Sequence, residues 1–207
     1  RKNQNTVQNK RNNALTQRGM EALAGKACKR IIAWSENAAK IERDFLSEFP
    51  SDLADAILSK MTVLVHAQEL LVNDVTQRSY SKTKPIRFIM VGAGFFRKGG
   101  REILNSFEKL VKEEKLPLQL VLVSSLYRDS YAAHETEADK QWALQKIEAN
   151  SDWIEYHSAI PNHEVLELQK SCDIGLLPTY ADTFGLSVLE SQATGCPVIT
   201  TDIRALP

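Results

Sequence analysis

From Ile86 onward, the chain alternates short apolar segments with longer amphipathic ones, and this alternation restricts the fold more than any other feature. The apolar segments predict strands at Ile86–Val91, Leu118–Val123, Trp153–His157, Ile174–Leu177 and Pro197–Thr200. The segments between them predict helices near residues 100–114, 138–149 and 163–171, and after Gly185. Parallel strands need such crossover helices, because each connection must return to the same end of the sheet. We therefore predict an α/β fold, a Rossmann-like parallel sheet with helices on both faces.

The first part of the chain predicts a smaller set of elements. The polar N-terminus becomes helical after Asn13, and Lys29–Trp34 predicts a short buried strand. Ser35 predicts a helix cap, since its hydroxyl can accept a hydrogen bond from an amide of the first turn. The buried face of that helix is predicted to contain Ala38, Ile41, Phe45 and Leu46. Asp52–Ala67 adds a second helix and a strand at Thr62–Val65.

The polar segment Asn73–Pro85 predicts a linker, because it lacks apolar periodicity and ends in proline. We therefore divide the chain into residues 1–80, a partial first domain with the linker, and residues 81–207, a second domain. The sequence ends at Pro207, soon after a predicted strand. From this we expect the second domain to be incomplete at its C-terminus.

Composition excludes several classes of protein. The 26 positive and 26 negative side chains balance, so no net charge favours nucleic acid. No segment approaches the roughly 18 apolar residues of a membrane span, and residues 1–13 lack the apolar core of a secretory signal. The three cysteines form no CxxC pair, which favours reduced thiols over disulfides or a zinc site. These features predict a cytoplasmic protein.

Two carboxylates lie close to a predicted helix start in the segment Asp173–Asp202, which reads DIGLLPTYADTFGLSVLESQATGCPVITTD. Asp182 and Glu190 are eight residues apart, with Phe184-Gly185-Leu186 between them. A helix start at the carboxyl edge of a parallel sheet offers free amides to phosphate. The segment therefore predicts binding of a nucleotide diphosphate and of sugar hydroxyls. The alternative is that Asp182 caps the helix and Glu190 is a solvated helix residue.

A second cluster follows the first strand of this region, where residues 91–101 read VGAGFFRKGGR. Its glycines permit close approach of an anion to the backbone, and Arg97 and Lys98 supply positive charge at a helix start. The spacing fits neither a P-loop, which needs Gly-Lys-Ser/Thr, nor the Gly-x-Gly-x-x-Gly dinucleotide motif. The alternative is a tight turn with two solvated basic side chains.

Together the two clusters resemble the nucleotide-sugar half of glycosyltransferase family 4, whose members are retaining enzymes of the GT-B fold. The family pattern is Glu-x-Phe-Gly-Leu-x-x-x-Glu-Ala-x-Ala-x-Gly-x-Pro-Val, and residues 182–198 read DTFGLSVLESQATGCPV. The resemblance covers Ile86–Pro207 and, more weakly, Ile31–Lys40. The form GAGFFRKGG is most similar to lipopolysaccharide-core glucosyltransferases. Two departures are Asp182 in place of glutamate and Ala93 in place of an arginine, whose charge we expect Arg97 to supply.

The resemblance implies a role for each residue. Lys98, with Arg97 beside it, would bind the donor diphosphate; Glu190 would bind the ribose hydroxyls, and Asp182 the hydroxyls of the transferred sugar. We therefore expect Asp182, Lys98 and Arg97 to act in catalysis. The residues expected to bind the donor are Gly94, Arg97, Lys98, Phe184, Gly185, Leu186 and Glu190.

The resemblance also implies the partners: a nucleotide-sugar donor as substrate and a glycan or lipid-linked acceptor, with no cofactor and no metal ion. It leaves open a peripheral contact at the inner face of the membrane through the first domain. Two other functions remain open, a non-catalytic nucleotide-sugar-binding module and a nucleotide-sugar epimerase. Because GT-B enzymes work in a cleft between two domains, we expect this chain alone to bind donor without transferring sugar.

Overall fold

The structure is a computed structural model that describes residues 14–72, 74, 83–127, 135–203 and 206. The chain divides into two compact units, Arg1–His66 and Ala67–Pro207, each with its own hydrophobic core. Most of the predicted linker, Asn73–Pro85, and the predicted domain boundary at residue 80 lie outside the described residues.

The first unit contains helices and a two-stranded parallel sheet. Its elements are α1 (residues 14–24), β1 (Ile31–Ala33), α2 (Glu36–Leu46), α3 (Ser51–Leu58) and β2 (Met61–Val63). Strand β1 pairs with β2, with Ile31 opposite Met61. The elements predicted for this part of the chain are therefore present, with strands shorter than the sequence suggested. The predicted burial of Lys29–Trp34 is wrong in part, because Ile32 and Trp34 are exposed and only Ala33 is buried.

Helix α2 confirms one sequence prediction and corrects another. The Ser35 hydroxyl accepts a hydrogen bond from the Ala38 amide at 3.0 Å, so it caps the helix as predicted. The predicted buried face is wrong in part, since Ile41 and Phe45 are exposed. Ala39 and Leu46 are buried instead. These two residues are seven apart, which is two helical turns, so the helix is rotated to bury a narrower stripe than the one predicted.

The second unit confirms every strand and helix predicted after residue 85. Its elements are β3 (Ile86–Val91), α4 (Gly100–Glu108), β4 (Leu118–Val123), α5 (Glu137–Glu148), β5 (Ile154–His157), α6 (Asn162–Ser171), β6 (Ile174–Leu177), α7 (Leu186–Ala193) and β7 (Val198–Thr200). The helix predicted over 100–114 changes to π-helical geometry at Lys109–Glu113. None of the helices within the described part of the chain is long and apolar enough to cross a membrane.

All neighbouring strands of the second unit are parallel, in the order β5-β4-β3-β6-β7. The chain therefore leaves the central strand β3 for one side of the sheet and later crosses to the other side at β6. Such a reversal opens a crevice at the carboxyl ends of the two strands, where ligands bind in open α/β sheets. The β3–α4 loop and the β6–α7 loop, which carry the two sequence clusters, both begin at this crevice.

The sheet is covered on both faces, as predicted. Met90 and Leu122 point into a core shared with α4 and α5, whereas Ile89 and Val121 point into a second core shared with α6. Successive side chains of a strand alternate between faces, so near-continuous apolar strands build two cores at once. Burial of each large aliphatic side chain contributes about 1.5–3 kcal/mol, which makes these strands a rigid base for the loops. The predicted fold class is confirmed.

Candidate functional site

The β3–α4 loop is held in a compact conformation by its own backbone. The Lys98 amide donates to the Gly94 carbonyl and the Gly100 amide to the Phe95 carbonyl, each at 2.9 Å. Gly99, the residue that precedes α4, has a φ of 81°, and a Cβ there would lie 2.2 Å from the Pro178 carbonyl oxygen. Only glycine fits this position, because it accepts a positive φ and leaves room for the neighbouring chain. The β3–α4 loop therefore packs directly against the end of β6.

The Lys98 side chain crosses the end of β3. A Cβ on Gly92 would lie 2.3 Å from Cδ of Lys98, so the absence of a side chain at Gly92 makes room for the lysine. The Lys98 ammonium lies 3.2 Å from Oδ2 of Asp182. The two side chains are 14% and 11% exposed, respectively, so this is a largely desolvated ion pair. The alternative of two solvated basic side chains in a tight turn is therefore wrong for Lys98.

Asp182 also binds the backbone at the start of α7. Its Oδ1 accepts hydrogen bonds from the amides of Phe184 at 3.1 Å and Gly185 at 2.9 Å. Burial raises the pKa of Asp182, but the positive charge of Lys98 and the two amides outweigh it, so the pKa lies below its ordinary value. Asp182 is therefore a carboxylate at neutral pH. These two amides precede α7, and no side chain among the described residues caps the first turn of the helix, so the simpler alternative, in which Asp182 is a helix cap, is wrong. Asp182 instead holds the loop before α7 and pairs with Lys98.

Arg97 connects the two loops. Its guanidinium Nη1 donates to the Ala181 carbonyl at 2.6 Å, and its own carbonyl accepts from the Tyr180 amide at 2.9 Å. The buried Thr179 hydroxyl lies 3.1 Å from the same Arg97 carbonyl. These contacts brace the β6–α7 loop beside Lys98. The structure thus places Arg97 next to the predicted site, with its guanidinium engaged by the loop backbone, and leaves Ala93 exposed.

Glu190 lies on α7, about one turn beyond the helix start, and is half-buried. Its Oε1 accepts a hydrogen bond at 2.9 Å from Nδ2 of Asn162, the first residue of α6. The two predicted carboxylates therefore have different partners: Asp182 binds Lys98 and the loop, whereas Glu190 binds the neighbouring helix. This separation fits two carboxylates that act on different parts of one extended ligand.

The arrangement is suited to an anion with hydroxyl groups attached. The Lys98 ammonium and the amides of Phe184 and Gly185, just before α7, meet at the Asp182 carboxylate, and helix starts favour negative charge. Carboxylates beside them can accept hydrogen bonds from hydroxyl groups. The residues predicted from the sequence all lie on these elements: Gly94, Arg97 and Lys98 in the first loop, Asp182, Phe184 and Gly185 in the second, and Leu186 and Glu190 on α7.

Sequence reasoning missed several residues that shape the site. Gly92 and Gly99 lie on either side of Arg97 and Lys98 in the sequence. Gly92 contacts the Lys98 side chain and Gly99 contacts Pro178 at the end of β6, and only the tertiary structure shows these contacts. Asn162 carries no motif, and only its contact with Glu190 connects it to the site. Gln169 had one available signal, namely a polar residue on a helix face that also carries buried Val165. A polar side chain at such a position predicts a buried hydrogen-bonded partner.

A comparison with protein families finds a match that covers the part of the chain that contains both loops. Residues 73–207 match the family model described as Glycosyl transferases group 1. The match begins near the predicted linker and includes both loops and the helices that follow them. It therefore covers all the residues predicted for the site.

Individual relatives and solved structures agree with the family match. The O-antigen chain mannosyltransferase B of Escherichia coli is 28% identical over 111 residues, which are 54% of this chain and 27% of that protein. The crystal structure of WaaG, a glycosyltransferase involved in lipopolysaccharide biosynthesis, aligns with a TM-score of 0.56 at 15% identity over 86% of this chain and 46% of its own.

A third similar protein is the pneumococcal O-GlcNAc transferase GtfA, solved in complex with UDP and GlcNAc. It aligns with a TM-score of 0.57 at 12% identity, over 84% of this chain and 30% of its own. At these identities the two solved structures show a shared fold. The chain spans less than half the length of each of these three proteins.

Proposed function

This chain belongs to the glycosyl transferases group 1 family, and we propose that it binds a nucleotide-diphosphate sugar and serves the transfer of that sugar to an acceptor. The observation that carries the proposal is the convergence of Lys98, Asp182 and the amides of Phe184 and Gly185. This group combines donors for a diphosphate with a carboxylate for sugar hydroxyls in one crevice.

Lys98 and the helix starts would stabilise the leaving group. When the bond between the sugar and the diphosphate breaks, the diphosphate gains negative charge. Fixed donors that meet this charge lower the barrier, and the loss of one such donor costs roughly 3 kcal/mol in comparable sites. Arg97 would contribute mainly by holding the β6–α7 loop, since its guanidinium binds the Ala181 carbonyl.

The two carboxylates would bind hydroxyl groups. We assign Glu190 to the ribose and Asp182 to the transferred sugar, on the resemblance to glycosyltransferase family 4. The same resemblance supports transfer with retention of configuration. Retaining glycosidases place a nucleophilic carboxylate against the anomeric carbon. Asp182 is instead held by Lys98 and two amides, which favours a role in binding over nucleophilic attack.

The similar proteins suggest the kinds of substrate. One is named as an O-antigen chain mannosyltransferase and one as acting in lipopolysaccharide biosynthesis, which supports a glycan or lipid-linked acceptor for this chain. The GtfA complex with UDP and GlcNAc supports a nucleotide-diphosphate donor. We propose that the reaction takes place in the cytoplasm, with peripheral contact at the inner membrane face. None of the three proteins is named as an epimerase.

Donor binding tests the proposal directly. The melting temperature of the chain is measured with UDP, GDP and ADP, and the same series is repeated with Lys98→Ala. We expect one nucleotide to raise the melting temperature of the parent and to lose most of this effect in the variant. If no nucleotide stabilises the parent, or if the variant responds equally, the site is elsewhere. Because we expect the chain alone to bind donor without transferring sugar, the transfer of labelled sugar to a glycan is measured on the intact two-domain protein, where it distinguishes an enzyme from a binding module.

A further inference from the structure

Helix α6 presents two amide side chains to α7, and they are seven residues, or two turns, apart. Asn162 donates from Nδ2 to Oε1 of Glu190 at 2.9 Å. Gln169 donates from Nε2 to the Ser191 hydroxyl at 2.9 Å and to the Ser187 carbonyl at 3.3 Å. One face of α6 therefore holds both the backbone of α7 and the carboxylate that α7 carries.

We propose that Asn162 is a positioning residue for Glu190 and that it thereby sets the preference of the site for a ribonucleotide over a deoxyribonucleotide. The inference rests on the proposed function, in which Glu190 binds the ribose hydroxyls. Asn162 acts through Glu190, by fixing the orientation of the carboxylate before the ligand arrives.

The chemistry of the pair defines the geometry. An ionised carboxylate only accepts hydrogen bonds, so Asn162 must direct its NH₂ group at Glu190. The carboxylate has about four lone-pair sites, and one bond to Oε1 leaves capacity for both hydroxyls of a diol. A glutamate side chain that is already oriented loses less rotational freedom when the ligand binds. Asn162 would therefore improve affinity only for ligands that use Glu190.

Gln169 makes this positioning effective. It is fully buried and binds α7 within one turn on either side of Leu189. A buried hydrogen-bonded amide resists displacement, because the loss of its partner leaves a polar group without water. Helix α7 therefore has a fixed rotation relative to α6, and Asn162 meets Glu190 in a defined register.

The Asn162–Glu190 bond itself contributes little to folding. Asn162 is exposed and Glu190 is half-buried, so water can replace the bond in a variant. Removal of Asn162 should therefore leave the melting temperature unchanged, and a change in ligand discrimination can be measured in an intact fold.

The experiment is calorimetric titration with the nucleoside diphosphate that the parent binds and with its 2′-deoxy counterpart. The variants are Asn162→Ala, Glu190→Gln and the double variant, with Asn105→Ala as a control for loss of an exposed asparagine on a helix. We expect Asn162→Ala to weaken ribonucleotide binding by about fivefold to tenfold. Binding of the deoxy analogue, which keeps only one of the two hydroxyls, should weaken by a smaller factor, and the control should match the parent.

The double variant identifies the route of the effect. If Asn162 acts through Glu190, the double variant should bind no more weakly than Glu190→Gln alone, since contacting residues are not additive. Two results would overturn the inference and leave the proposed function standing. One is additive losses of affinity in the double variant, and the other is an equal loss of affinity for the two ligands in Asn162→Ala. If the parent binds no nucleoside diphosphate, the proposed function and this inference both fail.

Discussion

The Lys98 ammonium and the Asp182 carboxylate meet at 3.2 Å, although 84 residues separate them in the chain. The same carboxylate also accepts from the Phe184 and Gly185 amides. Asp182 therefore occupies the donors that we assign to a diphosphate. A bound diphosphate and Asp182 would compete for Lys98, and this competition determines what substitutions at the two residues should do.

Lys98→Ala should weaken binding of the matching nucleoside diphosphate by about 1–3 kcal/mol, because it removes a charge-assisted hydrogen bond. Calorimetric titration measures the change. Lys40→Ala is the matched control, since Lys40 is an exposed lysine on α2 of the first unit. Parent-like affinity in Lys98→Ala would contradict the assignment of this lysine to the diphosphate.

Asp182→Asn should not weaken the binding of a free nucleoside diphosphate, because the substitution removes a negative charge that competes for Lys98. It should, however, reduce the discrimination among nucleotide sugars that differ only in the sugar. Titration of parent and variant with the free nucleotide and with two such nucleotide sugars compares the effects. A loss of the same size for free nucleotide and nucleotide sugar would exclude a specific role for Asp182 at the sugar.

The lowered pKa of Asp182 predicts a defined dependence of stability on pH. A carboxyl group whose pKa is lower in the folded state than in the unfolded state stabilises the folded protein at any pH above the ordinary pKa, which is 3.8 for Asp182. This contribution is lost as the pH falls through the lowered pKa. The difference in unfolding free energy between parent and Asp182→Asn should therefore be constant near neutral pH and shrink as the pH falls below the ordinary value of 3.8 towards the lowered pKa. Urea denaturation at several pH values measures it. A constant difference would show that Asp182 is not stabilised as a carboxylate.

Gly99→Ala should lower the free energy of unfolding by about 1–3 kcal/mol, because alanine is strained at a φ of 81°. Its Cβ would also lie 2.2 Å from the Pro178 carbonyl oxygen. Gly19→Ala is the contrasting control: a Cβ there meets nothing within 4 Å, and alanine should stabilise α1 by about 0.5–1 kcal/mol. Denaturant unfolding followed by circular dichroism measures both variants. Equal stability of Gly99→Ala and parent would contradict the close packing of the two loops.

The local order of apolar residues determined much of the fold. The strands at Ile86–Val91, Leu118–Val123 and Ile174–Leu177 were predicted with their bounds, because residues buried on both faces form uninterrupted apolar runs. Helix α2 was less predictable. The choice between Ile41 and Ala39 as the buried residue depends on which surface the helix meets, and that surface lies outside its own sequence.

The candidate site, like the fold, was predicted in part from the sequence and decided in part by the tertiary structure. Motif spacing singled out Lys98, Asp182 and Glu190 as candidate site residues, since the residue types and the nearby glycines are local properties of the chain. Only the tertiary structure paired Lys98 with Asp182, directed Arg97 to the Ala181 carbonyl and brought Asn162 to Glu190. These contacts depend on β3 lying beside β6 and on α6 lying beside α7. Strand order and helix packing follow from how the whole core is buried, so short-range sequence patterns do not encode them.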